Sequence, residues 1–170
     1  MVLTLIGYRG SGKSTVAAPL AARLGWEWVD ADAVIEQEAG RTIREIFASE
    51  GEAGFRRRER ETIHTLLQRD RLVLAAGGGA ILNSDTRRDM RAAGPVVWLR
   101  ADVSTLAGRI AGDPTTAARR PQLAGGGTQE IVKLLEAREP LYRECATQIV
   151  DTDDLAVEEI VERVCRGLPA

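Results

Sequence analysis

Eight residues near the start of this chain, Gly7-Tyr8-Arg9-Gly10-Ser11-Gly12-Lys13-Ser14, follow the pattern G-x-x-x-x-G-K-[ST]. The pattern dictates its flanks. The apolar run Val2–Ile6 reads as a buried strand leading in, and Lys13–Leu24 as a helix leading out, stopped at Gly25. Glycines let backbone N–H groups wrap a phosphate, and the helix behind them points its positive end at the anion. Lys13 adds a point charge for the β- and γ-phosphates, and Ser14 a hydroxyl for Mg²⁺. The loop implies nucleotide binding and leaves the phosphate acceptor open.

The rest of the chain alternates in the same way. Trp26–Val29, Leu72–Ala76, Val96–Leu99 and Gln148–Val150 read as further strands. Between them lie a mostly helical stretch from about 31 to 69 with breaks at Gly40 and Gly51, and helices over Asn83–Ala93, Val103–Ile110 and Leu155–Arg166. Asn83 or Ser84 is the expected cap of the first of these. Strand–helix alternation predicts an α/β fold: three layers, α/β/α, around a five-stranded parallel sheet. Ligands of such sheets bind beyond the carboxyl ends of the strands. Gly7 onward, Asp30 with Asp32, and Gly77-Gly78-Gly79 all fall there. Gly112–Thr128 holds Asp-Pro, Thr-Thr, Arg119-Arg120-Pro121 and a glycine run, too many breakers for a simple connection. It reads as a lid, about 112–126, or as an insertion; paired arginines favour the lid.

Length and composition bound the alternatives. The 170 residues suit one domain, with 44 % hydrophobic and 28 % charged residues and a net charge of −2. That balance argues against a nucleic-acid or membrane-surface partner. Lys13 and Lys133 are the only lysines, so the cations are nearly all arginine, suited to bidentate capture of carboxylate and phosphate. Cys145, Cys165 and the single His64 match no metal-ligand spacing; the cysteines, Trp26, Trp28 and Trp98 read as packing residues, and His64 as a helix surface or packing residue. With no leader ahead of the motif, the expected location is the cytoplasm.

Many proteins with this loop hold Mg²⁺ through an Asp at the end of another core strand. Here Ala75-Ala76-Gly77 and Leu99-Arg100 offer none, and the suitable carboxylates follow the second strand, Asp30 and Asp32. Asp30 is placed to reach the metal, through water, and Asp32 to face an acceptor hydroxyl; alternatively one of them caps the helix starting near Ala33.

At this point the residues resemble the shikimate kinases, a branch of the nucleoside monophosphate kinase-like fold. The matching stretches are Gly7–Thr15, Asp30-Ala31-Asp32, Ile46-Phe47 with Gly51-Glu52, Phe55-Arg56-Arg57 with Glu59, Gly77–Gly79, Arg120-Pro121 and Arg138-Glu139-Pro140-Leu141-Tyr142. They run in family order over nearly the whole chain. The resemblance implies MgATP-dependent phosphorylation of the shikimate 3-hydroxyl, with a helical substrate-binding segment at about 31–60. It implies that Gly10, Ser11, Gly12, Lys13, Ser14 and Thr15 bind ATP, with Arg109 against adenine and Arg120 closing from the lid. It further implies Asp32 as base or orienter of the reacting hydroxyl, Arg56 and Arg138 as a clamp on the carboxylate, and Gly77, Gly78 and Gly79 as backbone contacts. Ser14 and Asp30 would share Mg²⁺, and the expected state is a monomer. Gln122-Leu123 departs from the usual pair of leucines after Arg120-Pro121. Two rivals stand beside this reading: a gluconate- or nucleotide-type kinase on the same scaffold, and a non-catalytic nucleotide-binding module.

Overall fold

The computed structural model describes residues 1–114 and 127–169. Strands β1 (Val2–Ile6), β2 (Glu27–Asp30), β3 (Leu72–Ala75), β4 (Val96–Arg100) and β5 (Gln148–Asp151) form one parallel sheet in the order β2-β3-β1-β4-β5. The helices among the described residues are α1 (Lys13–Leu24), α2 (Ala31–Ala39), α3 (Ile43–Leu66), α4 (Ser84–Ala93), α5 (Val103–Ala111), α6 (Thr128–Cys145) and α7 (Val157–Arg166), with a 3₁₀ turn at Ala80–Leu82.

Successive strand residues point to opposite layers, and both layers are apolar here. Val2, Ile6, Leu72, Leu74, Val96 and Trp98 pack on α3, α4 and α6 through residues such as Ile63, Met90 and Tyr142. Leu3, Leu5, Val73, Ala75, Val97 and Leu99 pack on α1 and α7 through Val16, Leu20, Ile160 and Val164. The sheet is thus filled from both sides, as the alternation of segments predicts. Trp98 is buried and stacks on Tyr142, ring centroids 5.5 Å apart. Trp28 departs from its packing expectation: it is 43 % exposed on β2, a strand at the edge of the sheet.

The helical stretch after β2 resolves into α2 and α3. Gly40 caps α2 in the left-handed conformation. Thr42 and Glu45 open α3 with a reciprocal capping box. Gly51 (φ 69°, ψ −176°) kinks α3 rather than ending it, a conformation that a residue with a Cβ avoids. Around the kink, Arg41 and Arg58 both bind Glu50 and hold its carboxyl down at about 2, Arg58 contributing most. Ile35, Ile43, Ile46 and Phe55 form a small core of their own beneath this segment, with Phe47 stacked on Phe55 at 4.8 Å.

Helix α6 has no counterpart among the sequence-based elements, because Pro140 interrupts its pattern. The helix continues through Pro140. Its inward stripe is nevertheless regular: Ile131 and Leu135, then Arg138, then Tyr142 and Cys145, at spacings that stay on one helix face. Arg138 is therefore half-buried.

Candidate active site

Parallel strands deliver their carboxyl ends to one edge of the sheet. The phosphate loop leaves β1, Asp30 ends β2, and the glycine run follows β3, the strand between the other two. A cavity of about 440 Å³ opens there, lined by the loop from Arg9 to Thr15 together with Asp30, Asp32, Ala76, Gly77, Gly78, Arg109 and Asp113. Leu155, Val157 and Ile160 give it an apolar end.

Gly12 caps α1 in the left-handed region (φ 93°, ψ 16°), so the loop turns directly into the helix and aims the first free N–H groups outward. Lys13 arches back over the loop, its Nζ donating to the carbonyls of Gly7 at 2.8 Å and Tyr8 at 3.0 Å. Ser14 Oγ donates to Asp30 Oδ2 at 2.5 Å. The other oxygen of Asp30 accepts from the backbone of Asp32 at 2.8 Å and Ala33 at 3.2 Å. Asp30 thus caps α2, which begins at Ala31, and reaches Ser14 with the same carboxylate. The cap leaves Asp32 in the first turn of α2, its Oδ1 shielded from solvent.

Each residue of the glycine run has a different neighbour where a side chain would stand. A Cβ on Gly77 would lie 2.9 Å from Glu59 Oε2 and 3.1 Å from Asp32 Oδ1. On Gly78 it would lie 3.4 Å from the amide nitrogen of Arg9 and 3.7 Å from Arg138 Nη1. On Gly79 it would overlap the Arg56 guanidinium, 2.5 Å from Nη1 and 2.6 Å from Cζ. At Gly77 and Gly79 a side chain would crowd the two carboxylates and Arg56, whereas at Gly78 it would meet its neighbours at ordinary contact distance. Arg56 pairs with Glu59, which is only 3 % exposed, at 2.8 Å, and lies over the Phe55 ring at 5.3 Å. Arg138 lies over the Tyr8 ring at 5.8 Å. Tyr142 donates to the Gly78 carbonyl at 2.6 Å; burial pushes its hydroxyl well above the usual tyrosine range, with Arg138 pulling the other way.

The structure therefore gathers Asp32, Arg56, Arg138 and Gly77–Gly79 next to the loop that carries Lys13. Arg56, Gly79 and Arg138 adjoin the cavity through the glycine run and are not part of its lining. Arg109 stands at the other end, donating to the Gly10 carbonyl at 3.2 Å and to Thr152 Oγ1 at 3.4 Å. Arg120, with Arg119, Pro121, Gln122 and Leu123, lies outside the described residues. Sequence reasoning gave no role to Arg9 or Glu59 and did not single out the apolar end at Leu155 and Val157. Glu59 had a signal: it sits three residues after Arg56 on one helix, within reach of its fork. Arg9 had none beyond standing in a loop position open to any residue.

Ser14 and Asp30 also fit a magnesium ion. Both supply hard oxygen donors, already converged on each other, beside the loop that would hold phosphate oxygens.

Comparison with known proteins adds to this geometry. A family model described as shikimate kinase matches residues 9–169. The shikimate kinase of Rhodopirellula baltica is 44 % identical over 99 % of this chain and 90 % of its own length. The solved shikimate kinase of Acinetobacter baumannii, in complex with shikimate, superposes with a TM-score of 0.90 at 37 % identity, covering 97 % of this chain and 90 % of that one. A gluconokinase of Sinorhizobium meliloti, with a TM-score of 0.62, 22 % identity and 98 % and 90 % coverage, shares the fold alone.

Proposed function

The chain belongs to the shikimate kinase family, and we propose how its own residues carry that activity: phosphoryl transfer from ATP to the 3-hydroxyl of shikimate, giving shikimate 3-phosphate and ADP in aromatic amino acid biosynthesis. The backbone of Gly10, Ser11 and Gly12, the start of α1 and Lys13 hold the β- and γ-phosphates, with Thr15 beside them. Arg109 and the apolar end at Leu155 and Val157 receive the base. Ser14 and Asp30 are the residues that would hold Mg²⁺, Asp30 through water. When bound, that ion neutralises charge on the β- and γ-oxygens.

Arg56 and Arg138 take the carboxylate of the ring acid with their planar forks. Glu59 holds Arg56 in place by their 2.8 Å pair. Asp32 accepts the proton of the attacking hydroxyl, or orients it, while the backbone at Gly77–Gly79 borders the ring. Arg120, outside the described residues, is the further cation that the family resemblance assigns to the transferring group. One observation carries this reading: Asp32 lines the cavity of the phosphate loop and also faces Gly77, whose two followers face Arg138 and Arg56. A phosphate cradle and an arginine pair suited to one carboxylate therefore meet at a single acid. Among the described residues no helix is long and apolar enough to cross a membrane.

The test is a coupled ADP-release assay with shikimate, gluconate and AMP side by side. Turnover is expected with shikimate alone. Gluconate or AMP outpacing shikimate would replace the acceptor, and no ADP release with any of them would leave a nucleotide-binding module.

A further inference from the structure

Arg9 sits in the phosphate loop four residues before Lys13, at a position the loop pattern leaves open. It lines the same cavity as Lys13, Asp32, Gly77 and Gly78. Its backbone abuts Gly78, and its Nε and Nη1 atoms are shielded from solvent. The neighbouring Tyr8 hydroxyl senses it. Burial raises the tyrosine's pKa, and the Arg9 guanidinium, then that of Arg138, opposes the rise. An arginine is thus held at the seam between the phosphate cradle and the glycine run.

Charge gives this position a task. Asp30, Asp32 and Asp113 line the cavity and repel a phosphoryl group crossing it. The described cations of the lining are Arg9, Lys13 and Arg109. Arg109 lies at the far end, beside Gly10 and Thr152, and Lys13 lies over the phosphate cradle itself, whereas Arg9 stands where the loop abuts Gly78. Arg9 is the lining cation on the acceptor side of the loop. We propose that Arg9 is a further catalytic residue of this chain, whose guanidinium meets the phosphoryl group in transit between the loop and the acceptor hydroxyl. The inference rests on the kinase reading above. In that step the bond from the γ-phosphorus to the bridging oxygen breaks as the bond to the acceptor oxygen forms. ADP leaves with the electron pair, and the hydroxyl proton passes to Asp32. Charge spreads over three equatorial oxygens in the transition state, and a planar fork spans two of them. Its contribution is therefore largest in transit and small in the ground state.

Arg9→Met, of similar length and uncharged, is the diagnostic variant, with Arg9→Gln as its alternate if the methionine protein does not fold. We expect kcat to fall roughly 10²-fold while the KM values for ATP and shikimate change little. Arg9→Lys should recover part of the loss. The affinity for ADP, aluminium fluoride and shikimate together should drop in step with kcat, and the affinity for ADP alone should not. A folded variant with wild-type kcat overturns the proposal. So does a raised KM for shikimate at unchanged kcat, which would make Arg9 a third member of the carboxylate clamp. The wild-type protein separates the two levels: shikimate-dependent ADP release there, beside an unimpaired variant, removes only Arg9. Absence of release in the wild type removes the kinase reading with it.

Discussion

Asp30 and Asp32 stand two residues apart, and their surroundings divide their work under the proposed mechanism. Asp30 spends both oxygens at once, on the start of α2 and on Ser14, whereas Asp32 is turned toward Gly77 and the cavity. Asp32→Asn should lower kcat by on the order of 10²–10⁴-fold and leave nucleotide affinity nearly intact, as kinetics paired with ADP titration would reveal. Comparable losses in both would contradict the assignment to the acceptor side. Arg138→Ala should act mainly on the KM for shikimate, since a carboxylate clamp binds ground and transition states alike. The glycine run makes a subtler prediction. Gly79→Ala puts a methyl group into the Arg56 guanidinium, so Arg56 must swing away from Glu59. The KM for shikimate should rise as it does for Arg56→Ala, and a double mutant should be no worse than the poorer single mutant. Additive losses would show that the two positions act separately.

The elements around the site show how much of its framing was legible in sequence. β1, α1 and the cap at Asn83 follow from local patterns, and the breaks at Gly40 and Gly51 fall where left-handed glycines stand. Helix α6 was not legible as an element because Pro140 obscures a stripe that tertiary packing makes plain. β2 begins one residue later than its apolar run suggests, because the strand starts where β3 offers a partner, Glu27 against Leu72. The segment carrying Arg56 depends on its entry: the Thr42–Glu45 capping box is exposed and built from two reciprocal bonds. Thr42→Ala should destabilise the protein by about 1 kcal/mol, measured by the denaturant midpoint, with turnover at saturating substrate unchanged.

At the scale of the molecule, the sheet is clamped between two apolar layers while its carboxyl edge gathers charge. The carboxylates that brace this arrangement set its acid response. Glu50, held at about 2 by Arg58 and Arg41, and Asp89, lowered chiefly by Arg60, have folded-state values below their ordinary ones. Such groups contribute stability that is complete above the ordinary carboxylate range and disappears as pH falls through the folded value. Urea midpoints should therefore be flat near neutrality and decline from about pH 4.5 toward pH 2. Glu50→Gln should lower the neutral plateau and flatten part of that decline; an unchanged slope would remove Glu50 from the account. On the alkaline side Cys145, its thiol pushed up to about 11 by burial, should resist thiol reagents in the native protein.

By itself the sequence determined the phosphate loop, the alternation that forces a parallel sheet, and the strand ends at which ligand-facing residues accumulate. These depend on near neighbours: backbone freedom at glycine, side-chain period, and a helix start behind a loop. Only the tertiary structure decided that Asp32 and Glu59 crowd Gly77, that Arg138 and the Arg9 backbone flank Gly78, and that Arg56 fills the space beside Gly79. Those residues come from α2, α3, α6 and the loop after β1. Their meeting is set by strand order and by which helix layer each face is packed into, and neither is written in any single stretch of chain.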